Sequence, residues 1–390
     1  MPRFLVFGAL LLVAQATSTP QCDNNTSTSN TTPLVVNGGP SNNGFNEPFV
    51  SVTVCVPGTS NCQTIDGILV DTGSVGLRVL SSVLRVPLPQ QTGAGGAPVV
   101  ECLPFVDGFT WGPVQTADLQ IAGERASSIP IQVIGVDRFP TIPNGCSSQG
   151  SSEETQDDLA ANGILGLGSF IQDCGSACTF SGSANPGLYY ACPTPSNCQV
   201  TSQSLASQVV NPVARFSSDN NGIVIQLPEV APTGQPGAVG SLIFGIGTQA
   251  NNDLKSARVL TLDASGNVTT IFNGTAYRNS FIDSGSNGTF FLDSGATGLP
   301  ECRRSTGFYC PPTRQSFSAT IVGANNISVP VSFGAANVDA VNDTFTAFPD
   351  AAGSNPGGFD WGLPLLFGRT FFSAIEGRST PGGNGPYWAF

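Results

Sequence analysis

The stretch DTGSVGLRVLSS (residues 71–82) returns in altered form as DSGSNGTFFLDS (residues 283–294). Asp, Gly, Ser, the later Gly and two apolar positions coincide. Each Asp follows an apolar pair, Leu69-Val70 or Phe281-Ile282, as a residue does at the end of a buried strand. A second pair of motifs follows the turns: Ile164-Leu165-Gly166 after the first and Leu366-Phe367-Gly368 after the second. Two motifs recurring in the same order imply an internal repeat of two related units.

The residue types in these turns suit acid–base chemistry. Gly73 and Gly285 let each backbone turn tightly and approach its twin. The hydroxyls of Thr72, Ser74, Ser284 and Ser286 can hydrogen-bond the carboxylates of Asp71 and Asp283 and fix their orientation. Two like charges brought that close cannot both ionise, so they share a proton. One member then acts as base on a water and the other as acid toward a carbonyl. Asp293-Ser294-Gly295-Ala296 looks like a third such turn, but its register with the first is poor, and we read it as structural.

Composition narrows the alternatives. The chain has 390 residues and no histidine. That excludes a Ser-His-Asp triad and a Cys-His pair, and removes the commonest zinc ligand. No metal or cofactor is expected. A net charge of −12 argues against nucleic acid as a partner. With 47 Gly, 30 Pro and only 10% charged residues, the chain is rich in turns and poor in long surface helices.

The N-terminus has the form of a secretory signal over residues 1–16. Arg3 precedes the apolar run FLVFGALLLVA, and Ala14-Gln15-Ala16 gives a cleavage site. No later segment reads as an integral membrane span. A secreted or periplasmic location is expected. Lipid attachment at Cys22 is disfavoured because Thr19-Pro20-Gln21 lacks a small residue beside the cysteine. Residues 17–33 read as a Ser/Thr/Asn-rich linker. The 11 cysteines suit an oxidising compartment. Proximity suggests Cys55 with Cys62, Cys174 with Cys178, Cys192 with Cys198 and Cys302 with Cys310. Elimination then leaves Cys102 with Cys146, and Cys22 unpaired.

The expected fold is all-β with short helices. FVSVTVCV alternates as a strand does, and PGTSN between Cys55 and Cys62 reads as a hairpin loop. Further strands are expected at TADLQIAG, IPIQVIG, GIVIQLP, GSLIFGIG, NVTTIF, FSATIVG and ISVPVSF. Helix signals are confined to LRVLSSVL after the first Asp turn and SLASQVV near 204–210. The acidic run SSEETQDDLA reads as an exposed loop or a single helical turn. Trp361, Phe371 and Phe372 read as core.

Over roughly residues 34–390 the chain resembles the pepsin-like aspartic peptidases. Both Asp turns, NGILGLG at 162–168, GSLIFGIG and WGLPLLFGRTFF carry the resemblance. It implies two β lobes, here 34–208 and 209–390, with a peptide-binding cleft between them. Asp71 and Asp283 fall on the catalytic positions. FVDGFTWGPVQTADLQIAG is similar to the flap hairpin of that family, with Phe105 at the tyrosine position and Trp111 as the other flap candidate. VSVTVCVPGTSNCQTID and AIEGRSTPGGNGPY also resemble an uncharacterised family of secreted bacterial proteins, which implies no activity.

The expected function is a secreted, monomeric aspartic endopeptidase acting on a polypeptide substrate. The alternative is a pepsin-fold binding or envelope protein that holds a peptide ligand without turnover. A glycoside hydrolase would need its carboxylates about 5 Å or more apart, which the facing turns disfavour.

Overall fold

The structure, a computed structural model, describes residues 30–390. The signal segment, Cys22 and linker residues 17–29 lie outside the described residues. The first strand, Thr31–Asn37, begins within the tail of the linker stretch.

Short apolar runs, frequent turn residues and few helix formers give an all-β chain. Its helices are single turns such as Asn144–Ser147 and Gln156–Leu159. Among the described residues the strands form a sixteen-stranded sheet, a seven-stranded sheet and a two-stranded ribbon. The larger sheet carries the first Asp turn and the smaller one the second.

Thr31–Asn37 joins the two halves of the chain. One edge pairs with Glu47–Cys55 and the other with Ala238–Phe244. From there the sheet continues through Gly222–Gln226, Thr370–Ala374 and Tyr387–Ala389. Glu47–Cys55 and Cys62–Asp71 form the expected hairpin, with Cys55 opposite Cys62. Each of the seven further strand segments expected from alternation or apolar runs overlaps a strand.

The helix signals fare differently. LRVLSSVL contains the end of a strand, Val75–Leu80, followed by a turn. Leu77, Leu80 and Leu84 have helical spacing, but all six strand residues are buried between Glu124–Ile134 and Gly163–Leu167. With both faces covered, tertiary pairing overrides local periodicity. SLASQVV gives only a 3-10 turn at Leu205–Ser207. SSEETQDDLA does contain one helical turn, capped by Thr155, whose side chain accepts the Asp158 N–H. Asp293 likewise caps Ser294–Thr297 by accepting from the Ala296 N–H.

One large core runs under both sheets and includes Trp361 and Phe371. Phe372 lies in a smaller buried cluster. Five disulfides join the expected pairs: Cys55–Cys62, Cys102–Cys146, Cys174–Cys178, Cys192–Cys198 and Cys302–Cys310.

Candidate active site

Each Asp turn is built by a third strand wedged between an incoming and an outgoing one. In the first half, Cys62–Asp71 arrives and Val75–Leu80 leaves. Gly163–Leu167 lies between them, parallel to the first and antiparallel to the second. Gly166 sits opposite both Asp71 and Gly76. A Cβ there would lie 2.6 Å from the Val75 nitrogen, so the wedge requires glycine.

The second half repeats this plan. Thr275–Ile282 arrives, Thr289–Leu292 leaves, and Asn355–Trp361 lies between them with the same directions. The residue that follows, Gly362, would place a Cβ 2.1 Å from the Gly288 carbonyl oxygen. The counterpart of Gly166 is therefore Gly362 and not Gly368. Gly368 instead follows the 3-10 turn Leu363–Leu366 at φ +73, beside Glu229. The sequence signal was hidden because the matching tripeptide is Asp360-Trp361-Gly362, with a carboxylate where the first half has Ile164.

The two turns lock onto each other through Thr72 and Ser284. The Thr72 N–H donates to Ser284 Oγ at 3.1 Å, and the Ser284 N–H donates to Thr72 Oγ1 at 2.9 Å. Each hydroxyl then donates across to the opposite incoming strand. Thr72 Oγ1 reaches the Ile282 carbonyl at 3.2 Å, and Ser284 Oγ reaches the Val70 carbonyl at 2.7 Å. Four buried groups are satisfied by one reciprocal exchange.

This lock brings the carboxyls of Asp71 and Asp283 side by side, against one shared backbone N–H, that of Gly73. The Gly73 N–H donates to Asp71 Oδ1 at 2.7 Å and also faces Asp283 Oδ1 at 3.2 Å. The Gly285 N–H donates to Asp283 Oδ1 at 2.8 Å. Ser74 Oγ donates to Asp71 Oδ2, and Ser286 Oγ lies 2.9 Å from Asp283 Oδ2. Asp71 is buried, Asp283 half-buried and Gly73 exposed, so the outer side of the pair meets solvent. Burial, then the charges of Asp71 and Asp360, push the Asp283 carboxyl well above the usual range.

Two residues that sequence reasoning missed flank this pair. Asp360 is buried, and its Oδ2 lies 2.7 Å from Ser286 Oγ. Arg78, fully buried, donates to the Val75 carbonyl at 2.6 Å, just behind the first turn. The other terminal nitrogen of its guanidinium meets Glu101 at 2.9 Å and Asp173 at 3.3 Å. Tyr189 donates to Asp173 at 2.7 Å. Burial, then Glu101, raises the Asp173 carboxyl well above its ordinary range.

The hairpin of Val99–Pro104 and Gly108–Ile121 contains both flap candidates. Trp111 is a core residue. Its indole N–H donates to the Phe139 carbonyl at 2.9 Å, and its ring meets Tyr190 edge-on at 5.3 Å. Phe105 is half-buried against the cluster containing Phe49, Leu80, Ile134 and Leu159.

The sequence profile of a family described as "Protein of unknown function (DUF3443)" matches residues 26–390. Among curated proteins no match is found. With nearly its whole length matched, the chain belongs to the DUF3443 family of proteins of unknown function.

Proposed function

We propose that this protein is a secreted aspartic-type endopeptidase with Asp71 and Asp283 as its catalytic pair. The observation that carries the reading is that these carboxyls sit side by side on the Gly73 N–H, each also held within its own turn by a Gly N–H and a Ser hydroxyl. Such a pair holds one proton between two groups over a range of pH. The ionised member takes a proton from a water as that water attacks the peptide carbonyl. The protonated member gives its proton to the carbonyl oxygen. The surroundings of Asp283 favour it as the proton-bearing member.

The reading includes a pepsin-like architecture with lobes at residues 34–208 and 209–390 and a cleft between them. The repeated three-strand plan and the placement of the two turns on different sheets support it. Five disulfides support an extracytoplasmic location. Among the described residues no helix is long and apolar enough to cross a membrane.

The test is cleavage of a denatured protein by the purified chain across pH 3–7. Asp71→Asn and Asp283→Asn should each abolish cleavage. Cleavage that persists in either variant removes the mechanism. The placement of Trp111 in the core and of Phe105 on an apolar cluster favours a second reading, peptide binding without turnover. Saturable peptide binding with no product over days would establish that reading instead.

A further inference from the structure

Ser286 has one hydroxyl proton and two acidic neighbours. Its Oγ lies 2.9 Å from Asp283 Oδ2 and 2.7 Å from Asp360 Oδ2. A single hydroxyl cannot donate to both. Both short contacts are hydrogen bonds only if one carboxyl brings a proton of its own. Asp360 is the better carrier. It is 4% exposed, and its Oδ1 is buried without a hydrogen-bond partner among the described residues. A buried carboxylate oxygen with no donor is costly, and the carbonyl oxygen of a neutral acid is much less so.

The rest of its surroundings offer no compensation. Asp360 lies between the strands Thr275–Ile282 and Thr289–Leu292, opposite Phe281 and Phe290. Arg278 is the one charged residue of those two strands, and it is exposed. The charges that act on Asp283 come from Asp71 and Asp360, and the one that acts on Asp360 comes from Asp71, all acidic. In the first turn the equivalent strand position is the apolar Ile164, opposite Leu69 and Arg78. The third carboxyl is thus a feature of one turn only.

We propose that Asp360 is a proton-bearing positioning residue of this site, acting through Ser286 on the Asp71–Asp283 pair. While neutral, Asp360 donates to Ser286 Oγ, and Ser286 donates to Asp283 Oδ2, which fixes that carboxyl. Once Asp360 is ionised, its negative charge opposes loss of the proton shared by the pair. The pair therefore stays singly protonated toward neutral pH. Burial, offset in part by Ser286 and reinforced by Asp71, raises the Asp360 carboxyl to about 7, in keeping with a proton held on it in acid.

The inference rests on the peptidase reading for its consequence, though not for its test. Asp360→Asn keeps the shape and a donor to Ser286 but removes the charge. Carboxyl resonances of 13C-aspartate-labelled protein should show the pair losing its proton about one pH unit lower in this variant. The alkaline limb of any cleavage profile should fall by the same amount. Asp360→Ser, also neutral, should move both the same way and serves if the first variant does not fold. Ser286→Ala keeps the charge and breaks the relay, so the pair should hold its proton at least as high as in the parent. An unmoved titration of the pair in the neutral variants overturns the proposal. Absence of cleavage throughout, with the titration shifted as stated, would sink the peptidase reading and leave this inference standing.

Discussion

Thr72 and Ser284 each donate a backbone N–H to the other's hydroxyl, so neither turn is fully hydrogen-bonded without its twin. Replacing Thr72 with Val keeps the volume but orphans the buried Ser284 N–H. The cost should be about 1–3 kcal/mol in urea unfolding. Cleavage should fall with it, because the two carboxyls are placed by this exchange. An unchanged unfolding midpoint would show that the exchange contributes little.

The glycines of the turns set how close the carboxyls come. A Cβ at Gly73 would lie 2.7 Å from Asp283 Cγ, and one at Gly285 would lie 3.0 Å from Asp71 Cγ. Gly73→Ala should therefore drive the pair apart. Expected is a large loss of kcat, about 100-fold, for a displacement of order 1 Å. Circular dichroism should remain native-like, which separates this from misfolding.

Stability should fall as pH rises. Burial raises Glu47 from an ordinary 4.5 to about 8. Burial, then Asp107 in the neighbouring hairpin turn, does the same to Glu153. A folded-state value above the unfolded one means that the native state holds more protons between the two. The stabilisation is complete below about 4.5 and is lost through about 8. Glu47→Gln should flatten the slope of unfolding free energy between pH 5 and 8. A slope identical to the parent's would contradict the burial of Glu47 Oε2, which has no partner among the described residues.

Arg78 meets two carboxyls, Glu101 and Asp173, inside the protein. Arg78→Met removes the cation and leaves Glu101 and Asp173 facing each other. Loss of one partner from a buried ion pair costs about 3–5 kcal/mol. Urea unfolding of the variant at pH 7 should show that cost, and an unchanged midpoint would contradict it.

Much of the strand pattern can be read directly. Glu47–Cys55 alternates cleanly at its C-terminal end, and its cysteine-closed loop ties it to the next strand. The disulfides follow from spacing because four of the five close loops of eight residues or fewer in sequence separation. The Asp turns stand out because their tetrapeptides are nearly identical. Val75–Leu80 does not stand out, because a strand buried on both faces has no polar side to reveal its period. Arg78 reads as a surface residue until partners 23 and 95 positions away are brought to it. Asp360 was missed for a similar reason. A search for apolar-apolar-Gly passes over the position where one apolar residue has become an acid.

The strand Thr31–Asn37 has a consequence for how the chain is made. It is the earliest described segment, yet one of its edges is satisfied only by Ala238–Phe244. Those residues leave the ribosome long after it. Until they arrive, the strand presents bare N–H and C=O groups able to recruit a neighbouring chain. Pairing between such distant segments is also slow to form. Completion of this sheet thus waits for most of the polypeptide.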